Sequence, residues 1–234
     1  SDYKIILKYL EQLRKRFDEE VEFVCGYEAG CIGYSLYHQL TDHGVKCIIL
    51  APTTMAITNH HRVKTDKRDA GNIARCLAFH TYSEVYVPTK EDHAIKEYIR
   101  MRDDQKAHLK KTKQQILALV LRLGYRFEGG KTYWTIRHVK WLKSLDLGGM
   151  FQETLEEYLI TYDYFKSKIE RMDARIEELA SGERYVEKVK KLNCLIGVKA
   201  HTSLSIVVEV GDFERFAKAA QFASFLGLVP SEDS

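Results

Sequence analysis

A chain of 234 residues, 45% hydrophobic and 29% charged, can form one large domain or two modest ones without disulfide or metal staples. No apolar run approaches the roughly 18 residues of a membrane span, and the opening Ser1-Asp-Tyr-Lys-Ile-Ile-Leu-Lys8 lacks a basic stretch followed by a long apolar core. This excludes a spanning segment and a recognisable secretory signal, and we expect a cytoplasmic protein. The net charge of +3 conceals local basic clusters, since 36 basic residues nearly balance 33 acidic ones.

In chain order, residues 4 to 17 place Ile5, Ile6, Leu7, Tyr9, Leu10, Leu13 and Phe17 near helical spacing, which predicts an amphipathic helix. The run Glu22-Phe-Val-Cys-Gly26 predicts a strand, Gly30 and Gly33 a turn, Tyr34 to Asp42 a helix stopping near Gly44, and Val45 to Pro52 a second strand. A helix follows from about Asp66 to Phe79, and Val85 to Val87 reads as a short edge element closed by Pro88. This alternation builds a layered α/β domain.

From about Lys90 the pattern turns helical, with long stretches at 92 to 124 and 151 to 180. In the second, Leu155, Leu159, Tyr162, Phe165, Ile169, Met172, Ile176 and Leu179 step by three and four, a coiled-coil signature. Ile95, Ile99, Leu109, Ile116, Val120 and Leu123 make a looser seam in the first, so the expected packing is an antiparallel helical arm. Helices around Gly197 and a last one from Ala217 to Leu226 predict a small helical module. Cys25, Cys31, Cys47, Cys76 and Cys194 are odd in number and lack close paired spacing, which argues for buried reduced thiols.

The segment with most chemical content is Lys64-Thr65-Asp66-Lys67-Arg68-Asp69-Ala70. Asp66 and Asp69, three apart on a first helical turn, project from one face near the positive end of the helix dipole. Two such carboxylates suit Mg²⁺ or Mn²⁺; the same spacing also describes a helix cap beside a solvated charge. Glu28 follows a strand, at the edge where open α/β sheets place ligands, or is a polar loop residue. Three carboxylates converging there need a cation to offset their repulsion, the arrangement that two-metal phosphodiester chemistry uses. Arg62, Lys64, Lys67 and Arg68 flank the acids, after His60 and His61, and suit phosphate contact or a solvated helix start. Further basic sets are Lys106, His108, Lys110, Lys111 and Lys113, and Arg137, His138, Lys140 and Lys143 interleaved with Trp134 and Trp141; these read as nucleic-acid faces or as charged outer surface.

Taken together, Gly26-Tyr-Glu28-Ala, Leu50-Ala-Pro52, the Lys64 to Ala70 segment, and Glu209-Val-Gly-Asp-Phe-Glu-Arg-Phe216 through Gly227-Leu-Val-Pro230 resemble the DEDD transposases of the insertion-sequence-110 family, in order over almost the whole chain. The resemblance implies a fold of α/β plus all-α class: a partial RuvC-like, ribonuclease-H-fold domain at 1–89 lacking its first strands, a coiled-coil arm at 90–182, and the start of a C-terminal transposase domain at 183–234 with a helix-hairpin-helix-like segment. It implies that Glu28, Asp66 and Asp69 are the second, third and fourth metal-binding acids, the first standing on a strand ahead of this sequence.

The resemblance also implies a nucleophilic serine at or beside Ser234, and nucleic-acid contact by Arg62, Lys64, Lys67, Arg68 and Lys199. Ile196 and Lys199 replace the proline and second glycine common in the family's hairpin, so Lys199 supplies charge where backbone amides otherwise serve. The implied whole is a bacterial, nucleoid-associated, Mg²⁺- or Mn²⁺-dependent recombinase guided by a bridge RNA, acting on DNA as a homodimer or tetramer, with this chain inactive by itself. A Holliday-junction resolvase-like nuclease and a non-catalytic nucleic-acid-binding coiled-coil scaffold are the alternatives.

Overall fold

Asp2 caps the first helix, α1 (Tyr3–Arg14), by accepting the Lys4 N–H at 2.9 Å. In the computed structural model, which describes residues 2–55 and 65–228, the chain divides into two units, 1–87 and 88–234. Within the first, β1 (Val24–Glu28) and β2 (Lys46–Leu50) pair in parallel with Glu28 opposite Leu50, joined through α2 (Ser35–Thr41). A crossover helix is what two adjacent parallel strands require. Gly44, at φ +75°, lets the chain reverse after α2, and the Val45 N–H returns to the Leu40 carbonyl at 3.0 Å.

The third helix, α3 (Asp66–Phe79), packs on β1. Ile48, Leu50 and Cys76 form the buried centre, with Met55, Ile73, Leu77 and Tyr82 around it. Gly26 makes the close approach possible, because a methyl group there would lie 2.9 Å from Leu77 Cδ1 and 3.0 Å from Leu50 Cδ1. The expected edge element is a short antiparallel contact, with the Val85 N–H reaching the Ile49 carbonyl at 2.8 Å and Leu50 bridged to Glu84. The sheet of the described residues is thus small and the fold mostly helical.

The second unit is built on two 33-residue helices, α4 (Lys90–Arg122) and α6 (Gly149–Ser181), which pack antiparallel: Arg102 meets Asp173 while Lys113 lies over Tyr162. Towards one end, Ile116, Leu119 and Val120 bury with Leu155, Leu159 and Tyr162, and α5 (Ile136–Ser144) closes that core with Leu142. Towards the other, Ile95, Ile99, Ile176 and Ala180 share a core with α7 (Val186–Asn193) and α8 (Ala200–Val210), which contribute Val189, Leu204, Val207 and Val208. The short α9 (Ala219–Phe225) follows, where Phe213, Phe216, Phe222 and Phe225 cluster and the Arg215 guanidinium lies 4.4 Å from the Phe216 ring centre. No helix among the described residues is long and apolar enough to cross a membrane.

Two expectations about side chains are corrected. Cys47 and Cys76 are buried, but Cys31 and Cys194 are exposed because each lies at a loop or helix end rather than on a core face. His138 belongs to no basic surface: it is fully buried, ringed by Phe127, Tyr133, Trp134 and Trp141, and Trp134 stacks on Tyr162 in the core. The Trp134 N–H donates to His138 Nδ1 at 3.2 Å, and burial holds this imidazole below the usual histidine range.

Candidate functional site

Glu28 is the last residue of β1, within the strand rather than after it, and it is exposed. The backbone around it is tied down from both sides. The Ala29 N–H donates to the Leu50 carbonyl at 2.9 Å, which extends the ladder past Glu28. The Tyr27 hydroxyl donates to the Gly33 carbonyl at 2.8 Å, pinning the turn that follows, and burial pushes this phenol up to about 12. The strand end therefore holds the Glu28 Cα firmly while its carboxylate stays in water.

Asp66 and Asp69 lie in the first turn of α3, Asp66 exposed and Asp69 half-buried. Thr65 is the N-cap; its carbonyl accepts the Asp69 N–H at 3.0 Å, so the turn is closed where the acids sit. Negative side chains there lie at the favourable end of the helix dipole, and the i, i+3 spacing puts both on one face. Lys67 and Arg68 share this turn and are exposed. Arg62 and Lys64, with His60 and His61, lie outside the described residues, as does Ser234. Lys199 is the exposed N-cap of α8, after the turn in which Gly197 takes φ +84°.

Glu28, Asp66 and Asp69 are carboxylates of the first unit, and the contact between α3 and β1 ties their elements together. Their oxygens fit a hard divalent cation in kind. They are not gathered into a finished cage: among the described residues no three His, Cys, Asp or Glu side chains are placed to hold one ion.

Buried charge occurs instead in the second unit, at residues that carry no motif. Asp92 is 6% exposed and accepts from the Tyr185 hydroxyl at 2.6 Å, Thr89 Oγ1 at 2.7 Å and Arg184 Nη2 at 2.8 Å. Burial opposes its ionisation, but hydrogen bonds from Arg184, Tyr185 and Thr89 outweigh that and hold the carboxyl below its ordinary value. One turn on, Lys96 is also buried and pairs with Glu209 of α8, which Arg100 reaches as well at 3.2 Å. The signal was available: Asp92 and Lys96 interrupt the spacing that Ile95 and Ile99 define, so they fall at core positions of α4.

Comparison with known proteins agrees with this architecture. Residues 4–124 match the transposase family of DEDD IS110 type, and residues 189–234 match the domain described as "Transposase IS116/IS110/IS902 family". The chain is 35% identical over 211 residues, 89% of its length, to the "Transposase for insertion sequence element IS1533" of Leptospira borgpetersenii, and covers 60% of that protein. It is 31% identical over 229 residues, 98% of its length, to the "Putative transposase y4qE" of Sinorhizobium fredii (strain NBRC 101917 / NGR234), covering 55% of it. The chain thus spans somewhat over half the length of these relatives. With more than half its residues matched by the first model and the second matched in order behind it, the chain belongs to the IS110 family of DEDD transposases.

Proposed function

We propose that this chain is the metal-binding and helical part of a transposase that cuts and rejoins DNA for a mobile element. The observation that carries the reading is the pair Asp66 and Asp69 on the first turn of α3, packed on the strand that ends in Glu28, in a chain of this family. Glu28, Asp66 and Asp69 would hold Mg²⁺ or Mn²⁺, with a further ligand from outside these three; when bound, the cation supplies a Lewis acid at the scissile phosphate. The chain's own residues position and charge the site: β1 and α3 present the acids, and Lys67 and Arg68, with Arg62 and Lys64, offer cations to the phosphate backbone.

In this reading the first unit is the RuvC-like domain, and the edge of β1 opposite β2 is where its opening strands pair. The antiparallel α4 and α6 act as a coiled-coil arm that supports a dimer or tetramer, and α7 to α9 begin the C-terminal transposase domain, whose helix-hairpin-helix-like turn presents Lys199 to DNA. A serine at or beside Ser234 attacks the phosphodiester, its oxygen bonding to phosphorus as a sugar oxygen leaves; rejoining reverses that exchange. A bridge RNA selects the DNA, and the chain alone is inactive because the serine and the acids are completed only in the assembled protein.

Two measurements test this. Calorimetric titration of the chain with Mn²⁺ should show binding that Asp66→Ala with Asp69→Ala abolishes; unchanged binding in the double variant removes the metal site. In the complete transposase, a covalent protein–DNA adduct should be trapped during turnover. Turnover with no adduct would instead favour hydrolysis of the resolvase type.

A further inference from the structure

Helix α8 is apolar along its buried side, where Leu204, Val207, Val208 and Val210 contribute no directional contact, and it crosses α4 and α6 through that side. Branched aliphatic surfaces fill space but tolerate sliding; an ion pair with one buried member does not, since displacement leaves that buried charge without its partner. The one carboxylate in α8 is Glu209, and it meets Lys96 and Arg100 of α4. Lys96 is 9% exposed whereas the Glu209 side chain is 39% exposed, so it is the buried ammonium that depends on this partner. At the far end of α8, His201 Nε2 lies 3.2 Å from Asp103, and Ser203 Oγ, fully buried, donates to Asn193 Oδ1 of α7 at 2.6 Å. The approach to α7 is fixed by Asp92, which receives Arg184 and Tyr185.

We infer that the Glu209 contact with Lys96 and Arg100 is a register lock that sets where α8 sits along α4, and that these are positioning residues for the chain leaving α8. Gly211, at φ +67°, follows Glu209 within two residues and turns the backbone towards α9, so any slip of α8 is passed directly to what comes after it. Asp103 and His201 mark the opposite end of the same helix pair, and Asp92 holds the start of α7 against α4 independently of α8. The catalytic consequence rests on the strand-cleavage reading; the structural one does not.

The test compares Lys96→Met with Glu209→Leu, made together in the complete transposase, with the wild type and with Lys96→Arg. An apolar pair of similar volume keeps burial and should keep the melting temperature. Spin labels on noncanonical residues at exposed Asp104 and Ala220 should give one narrow distance in the wild type and in Lys96→Arg, and a broadened or displaced one in the double variant. Its kcat for strand cleavage should fall, on the order of a hundredfold, at unchanged DNA affinity. A narrow, unmoved distance in the double variant overturns the inference whatever the cleavage rate. Should the double variant melt early, Glu209→Gln provides the same comparison with shape preserved. A wild type that never cleaves DNA refutes the proposed function and leaves the label distance to decide the register.

Discussion

Asp92 is the residue whose environment makes the sharpest statement about stability. Its carboxyl ionises more readily in the folded protein than in the unfolded chain. The stabilisation is therefore present above the ordinary carboxylate value and is lost as the pH falls through the lower folded value. Asp92→Ala leaves the Tyr185 hydroxyl without its acceptor and should cost about 2 kcal/mol or more, read by urea unfolding of the chain at neutral pH. The variant's melting temperature should then lose part of the decline that the wild type shows as the pH falls below the ordinary carboxylate value.

His138 works at a different pH by the opposite chemistry. Its folded form resists protonation, so its contribution falls as pH drops below the ordinary histidine value, where the unfolded chain takes up the proton first. His138→Phe should flatten the melting profile below the ordinary histidine value, while the orphaned Trp134 backbone N–H lowers stability throughout by roughly 1–3 kcal/mol.

Among the elements, the fit of α3 on β1 decides how the three acids are presented. Gly26 stands two residues before Glu28, with Leu77 and Leu50 where a side chain would be. Gly26→Val should force α3 off the strand and cost about 1–3 kcal/mol, measured by thermal or urea unfolding, and should weaken Mn²⁺ binding without touching any carboxylate. Retained Mn²⁺ affinity at reduced stability would mean that Asp66 and Asp69 do not depend on this contact. The bounds of α3 were legible, Asp66 to Phe79, because a polar start, acids in the first turn and apolar spacing agree with one another. Those of β1 were displaced towards Glu28 because Tyr27 and Glu28 lack the apolar pattern that marks a strand, and only pairing with Ile49 and Leu50 keeps them extended.

For the whole molecule, the proposed partner is polyanionic and the chain carries nearly balanced charge, so binding must come from local clusters. In the complete protein, Lys67→Ala, Arg68→Ala and Lys199→Ala should each weaken DNA binding across sequences and reduce the slope of log affinity against log salt by roughly one. An unaltered salt slope in the triple variant would place the phosphate contacts elsewhere. Lys113 is a poorer candidate than its sequence neighbours, since it lies over Trp134 and Tyr162 and burial lowers its pKa.

The sequence by itself determined the alternation of strands and helices in the first 80 residues, the two long helices behind them, and the family, because periodicity, caps and ordered motifs are local properties of the chain. It also named Glu28, Asp66 and Asp69. Only the tertiary structure decided that Trp134 stacks on Tyr162, that Asp92 receives Tyr185, and that Glu209 is the partner of Lys96, since each joins residues about 25 to 115 positions apart across a helix face. A charged or aromatic residue reads the same in sequence whether it faces water or a partner helix; the partner, brought close by packing, makes the difference.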